Sequence, residues 1–190
     1  MEKKTDLRVI KTKRRIKEVF GELLKKKDVN KITVAELARL AEINKGTFYL
    51  HYQDIYALYT EVLQENIRET VNGISFYHEF FDTPEDFLRH FFALRKNHFQ
   101  PMENPVFKPG NISFGHRIPE MMIGALREKL YEHGYIEPSV ANDTKLNYVL
   151  FSIFHFLQVK SPEESLPILI PLIASDIRAA FPKNTQQRPK

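Results

Sequence analysis

Lys45, Thr47 and Tyr49 alternate with Gly46 and Phe48 in the short stretch Lys45-Gly46-Thr47-Phe48-Tyr49-Leu50-His51-Tyr52. An ammonium, a hydroxyl and a phenol so close together are donors suited to phosphate oxygens and base edges. The rest of the chain offers little for making or breaking covalent bonds. With no Cys it has no thiol nucleophile, no thiolate metal site and no disulfide. His78, His90, His98, His116, His133 and His155 show neither H-x-x-x-H nor H-E-x-x-H spacing, and there is no Gly-rich phosphate loop and no G-x-S-x-G. The expectation is a protein that is not an enzyme and that needs neither cofactor nor metal.

The elements that must position these donors follow from periodicity. Ile16, Val19, Phe20, Leu23 and Leu24 fall at i, i+3, i+4, i+7 and i+8, which predicts an amphipathic helix over 8–27. Thr33-Val34-Ala35-Glu36 reads as a capping box, in which the Thr hydroxyl accepts from a backbone N–H and the Glu reaches back three residues. A second helix should run from there to Ala41. Asn44 can cap a third over 45–51, and Asp54 a fourth carrying Ile55, Leu58, Tyr59, Val62, Ile67 and Val71 on one side.

Thr83-Pro84-Glu85-Asp86 opens another helix, with Phe87, Phe91 and Leu94 as its buried stripe. Residues 100–115 hold three Pro and two Gly with little periodicity, and read as a loop. Helices are predicted over 121–133, stopped by Gly134, over 138–160, and from Ser161-Pro162 to Phe181, where Pro167 and Pro171 should bend or delay the last one. Nothing reads as a strand. The expected fold is all-α, with a three-helix domain at 1–53, a larger helical domain at 54–182 and a disordered tail at 183–190.

Charge supports that division. Residues 1–52 hold 14 Lys and Arg against 7 Asp and Glu, a net of +7, while the remainder carries a net of −3. Thirteen of the 15 Phe lie beyond residue 52. A basic segment is often only a solvated face, so its surroundings decide whether it is a nucleic-acid footprint. Residues 33–52 supply the parts of a helix-turn-helix, a bracing helix, a tight turn and a second helix whose start reaches the major groove. Ala38 and Ala41 let the helices cross closely, and Leu37, Leu40, Ile43 and Phe48 can share a core. Lys45, Thr47 and Tyr49 are left for the groove. Among Tyr49, Tyr52, Tyr56 and Tyr59, spaced 3-4-3, all but Tyr49 are expected in the core.

With those residues in place, ITVAELARLAEINKGTFYLHYQDIYAL resembles the DNA-binding segment of the tetracycline-repressor (TetR/AcrR) family, over about residues 8–65. Its most specific piece is Thr47-Phe48-Tyr49 followed by His51 and Tyr52. The resemblance implies that Lys45 and Thr47 lie near bases, that Tyr49, His51 and the capping Thr33 meet phosphates, and that Gly46 permits close approach. Two positions depart from the family pattern. Glu42 stands where the family usually has Gly in the turn, and Ile55 where a Lys commonly meets a phosphate.

One recognition helix covers half of a typical operator, so a two-fold dimer on palindromic double-stranded DNA is the economical architecture. The resemblance places its interface in the last two helices, and Val149, Ile153, Phe154, Leu157 and Leu172 are the candidates. It also implies a cavity for a small apolar ligand in the Phe-rich region, with Phe80, Phe87, Phe91 and Phe114 as candidate lining, whose filling would release the protein from DNA. The alternatives are an activator, or a regulator or adaptor governed by a protein partner. A pure adaptor leaves the basic motif unexplained. The charged N-terminus and the lack of a long apolar run predict a cytoplasmic protein with no membrane partner.

Overall fold

The computed structural model describes residues 7–97, 104–107, 111, 118–157 and 162–182. Within them the secondary structure is helical, and no strand occurs among the described residues. In chain order α1 is Leu7–Lys26, α2 Val34–Leu40, α3 Lys45–Tyr49, α4 Ile55–Asn72, α5 Glu79–Asp82 and α6 Pro84–Asn97. Then come α7 Ile118–Glu132, α8 Val140–Leu157 and α9 Pro162–Ala180, with 3-10 turns at Val29–Lys31 and Pro105–Phe107. The tail expected at 183–190 lies outside the described residues.

These elements form two compact units. One comprises Met1–Asn66 with Pro101–His116, the other Ile67–Gln100 with Arg117–Lys190. The boundary expected after residue 53 therefore falls inside the first unit. The first half of α4 belongs there because its apolar residues Leu58, Tyr59, Val62 and Leu63 are buried and its Glu61 and Glu65 pair with α1.

In the first unit the predicted stripe of α1, from Ile16 to Leu24, is buried together with Leu37, Ala38, Ala41 and Phe48. Thr33 caps α2, accepting from the Glu36 N–H at 3.2 Å. Glu36 does not reach back as a capping box requires. Its carboxylate pairs with Lys27 instead, because the end of α1 brings an ammonium within reach. Two further expectations fail by the same helical geometry: Leu40 and Tyr56 are exposed, at 38% and 42%, so neither belongs to the core. Between α2 and α3, Glu42 adopts φ 59°, the left-handed conformation that Gly would take without strain.

In the second unit, Phe80, Phe81, Phe87, Phe91, Phe154 and Phe181 are buried in ring-to-ring contact. The four-residue α5, not foreseen from sequence, sets Phe80 and Phe81 into this cluster. Gly134, at φ 67°, ends α7: its N–H bonds to Tyr131 O at 2.9 Å and the Tyr135 N–H to Leu130 O at 3.0 Å. The last helix begins at Pro162 and runs through Pro167 and Pro171. Their spacing of four means that the N–H absent at Pro171 would have bonded the carbonyl of Pro167.

Left-handed strain at a non-Gly residue costs about 1–2 kcal/mol, against about 0.5–1 kcal/mol of backbone entropy for Gly. Glu42→Gly should therefore stabilise the protein by about 0.5–1 kcal/mol in urea unfolding.

Candidate nucleic-acid interface

One cap and one aromatic ring fix α3. The Asn44 Oδ1 accepts from the Thr47 N–H at 2.8 Å and from the Thr47 hydroxyl at 2.9 Å. Phe48, fully buried, anchors the opposite face, with Tyr52 5.7 Å away between ring centroids. Asp54 caps α4 through the Ala57 N–H at 2.8 Å. Phe48 is buried while Tyr49, turned about 100° from it around the helix, and Lys45, at the first position of the helix, are exposed.

The sequence-predicted contacts are placed as follows. Lys45, Gly46 and Tyr49 are exposed, Thr47 and His51 are half-buried, and Thr33 is exposed at the start of α2. The Tyr49 ring stands edge-on to Phe48 at 5.6 Å and stays more than half exposed, at 56%. The Thr47 hydroxyl gives its proton to Asn44, so toward a base it presents oxygen lone pairs and a methyl group. Thr33 uses a lone pair on Glu36 N–H and keeps its own proton to donate. A Cβ at Gly46 would come within 3.3 Å of Asn44 Oδ1, the acceptor that caps α3, so a larger residue there would press on the cap. Ile55 is buried, which makes it part of the core rather than a phosphate ligand. Leu50 and Tyr56 are exposed beside the end of α3 and at the start of α4, placements that apolar periodicity alone did not reveal.

Part of the basic charge is neutralised internally. Lys13 Nζ lies 2.8 Å and Lys17 Nζ 2.6 Å from Glu61 Oε1, and Lys17 also pairs with Glu65. Lys13 sits over the Tyr52 ring at 5.1 Å, and the Tyr52 hydroxyl donates to Glu61 Oε1 at 3.3 Å. This network ties α1 to α4 beneath the end of α3. Burial alone would raise the Glu61 carboxyl, but hydrogen bonds from Lys13 and Lys17 outweigh it and hold the group below its ordinary range. Burial likewise acts to lower Lys17, and its bonds to Glu61 and Glu65 raise it instead. Burial and the neighbouring Glu61 push the Tyr52 hydroxyl well above its usual range, so it remains a donor. By contrast, Lys45 and Arg39 have no carboxylate partner among the described residues.

The remaining candidates divide. Phe80, Phe87 and Phe91 come together, with centroids 5.1 Å apart for the first pair and 5.7 Å for the second, and Phe114 lies outside the described residues. Val149, Ile153 and Phe154, candidates for a dimer interface, are buried within their own unit. Leu157 is in α8 and its side chain is not described, while Leu172 is exposed. Because the second half of α8 is apolar on nearly every side, periodicity could not separate its inner from its outer arc. Among the described residues no group of three or more His, Asp or Glu could hold a metal ion, and no helix is long and apolar enough to cross a membrane.

A short capped helix with an anchored inner face and a polar outer face, preceded by a bracing helix and a tight turn, defines a helix-turn-helix protein. Residues 21–62 match the family model for bacterial regulatory proteins of the tetR family. Over 50 residues the chain is 34% identical to YxbF, an uncharacterised HTH-type transcriptional regulator of Bacillus subtilis (strain 168), a match covering 26% of this chain. That match spans 13% of the length of YxbF. The crystal structure of a TetR transcriptional regulator from Rhodococcus sp. RHA1 superposes with a TM-score of 0.51, over 90% of this chain and 93% of that one, at 20% identity. Residues 21–62 thus resemble regulators of the tetR family, and the chain shares an all-helical fold with a TetR regulator.

Because the folded Glu61 has a lowered pKa, its contribution to stability is present above the unfolded value, near 4.3, and lost as pH falls through the folded one. Glu61→Gln should therefore lower stability at neutral pH and lose less of it than the wild type between about pH 5 and 3, as read by urea unfolding at each pH.

Proposed function

We propose that this protein is a homodimeric transcriptional repressor that reads a palindromic operator through Lys45 to His51 and leaves it when a small apolar ligand binds. The observation that carries the proposal is the two-sided α3: Phe48 buried on one side, Lys45 and Tyr49 exposed on the other. Lys45 and Thr47 then face bases, while Thr33, Tyr49 and His51 hold phosphates. Dimerisation through α8 and α9 is supported by an apolar set that remains exposed in the second unit, Tyr148, Phe151, Ile168 and Leu172. Ile168 and Leu172 stand four apart, on one face of α9. The ligand is taken to be apolar because the interior around Phe80, Phe87 and Phe91 offers aromatic rings rather than charges.

DNA selected from a random pool provides the test. In mobility shifts, Lys45→Ala should weaken binding by about 1–3 kcal/mol and relax base preference at one position of each half-site. Tyr49→Phe should weaken binding uniformly across sequences, with unchanged base preference. Unaltered affinity in both variants would refute the reading. For the assembly, Leu172→Asp should convert a dimer to a monomer in sedimentation; a wild-type protein that sediments as a monomer would overturn this part.

A further inference from the structure

Asn111 is fully buried, at 0% exposure, and is the one polar or charged residue in that state among the described residues. Its partner lies 82 residues away in sequence. Asn111 Oδ1 accepts from the Val29 N–H at 2.7 Å, and its Nδ2 donates to Pro105 O at 2.9 Å. Val29 opens the 3-10 turn that joins α1 to α2, and the residue before it, Asp28, makes no side-chain cap. The Val29 N–H therefore has no helical acceptor and no cap, and Val29 is itself buried, away from water. The Asn111 amide supplies the missing acceptor.

The turn at Pro105–Phe107 is fastened at two more points inside the first unit. Tyr59 donates its hydroxyl to Val106 O at 2.9 Å, and burial pushes that hydroxyl up to about 12, which keeps it protonated. Asn104 closes the turn by accepting from the Val106 N–H at 3.0 Å and donates to Asn66 Oδ1 at 2.8 Å. Asn66 in turn donates to Val62 O at 2.8 Å. Residues 104–107 and Asn111 follow α6 and precede α7 in sequence, yet these bonds make them part of the unit that carries the helix-turn-helix.

We infer that Asn111 is a positioning residue for DNA recognition, which fixes the α1–α2 connection through the Val29 amide and so sets how α2 and α3 are held against α1. Deleting the amide leaves a buried donor unmet, and the connection must shift to find water. The inference rests on the proposed DNA-binding role, so its test carries a readout that does not need DNA.

Asn111→Leu keeps the branched four-atom outline of the side chain, with bulkier methyl groups, and removes both hydrogen bonds; Leu24→Ala, in the core of α1, is the control that lowers stability and leaves the Asn111–Val29 hydrogen bond in place. Hydrogen exchange of the Val29 amide in the full chain should accelerate about tenfold or more in Asn111→Leu relative to Leu24→Ala. Amide chemical shifts from Ile32 to Phe48 should move in the first variant and not in the second. With selected DNA, under conditions where both variants are folded, Asn111→Leu should bind about tenfold more weakly with an unchanged salt slope, since no phosphate contact is lost. Leu24→Ala should bind as the wild type does. Asn111→Asp, which keeps an acceptor for Val29, should restore part of the affinity. Unchanged exchange at Val29, or equal loss of affinity in both variants, would overturn the inference. A wild-type chain that selects no DNA would refute the proposed function, and the exchange and shift measurements would still decide whether Asn111 holds the connection.

Discussion

A helix of five residues does not persist alone in water, because the first turn costs more backbone entropy than its few hydrogen bonds return. α3 persists because Phe48 is sunk in the core of its unit. Full burial of one such ring contributes about 1.5–3 kcal/mol, comparable to the cost of ordering a few residues. The same ring decides orientation: with Phe48 inward, Tyr49 is turned about 100° away and is exposed, as is Lys45 at the start of the helix. The Asn44 cap then fixes where the helix starts, and the Thr47 hydroxyl is oriented as a by-product.

Electrostatics divides the basic segment into two functions. Lys13 and Lys17 pair with Glu61 and Glu65, where they fasten α1 to the start of α4. Those cations add little to a field directed at DNA, since each stands beside a carboxylate. Lys45 stands on α3, exposed and without such a partner among the described residues. A net charge alone would have treated all of these cations alike.

What the sequence made legible follows from the range of the forces involved. The bounds of α1, the Asn44 and Asp54 caps and the departure at Glu42 depend on residues within one helical turn, so local sequence was enough to locate each of them. It was not enough for Glu36, because its partner Lys27 sits nine residues earlier, just past the end of α1, and is brought near by packing. Leu40 and Tyr56 were assigned to the core by type and spacing, but each helix shows only one arc to its neighbours and both lie off it. The segment 104–107 read as an aperiodic loop, since what orders it are hydrogen bonds to Tyr59 and Asn66 and to Asn111. On α8 the apolar residues run nearly all the way round, so burial of Val149 and Ile153 and exposure of Tyr148 and Phe151 emerge only from packing.

The central claim is that α3 enters the major groove, and methylation protection of guanine N7 on selected DNA tests it most directly. The expected result is two protected major-groove patches, related by a two-fold axis and centred about 34–36 Å apart, one for each recognition helix of a dimer. Protection confined to the phosphate backbone or the minor groove, with N7 reactivity unchanged, would contradict it.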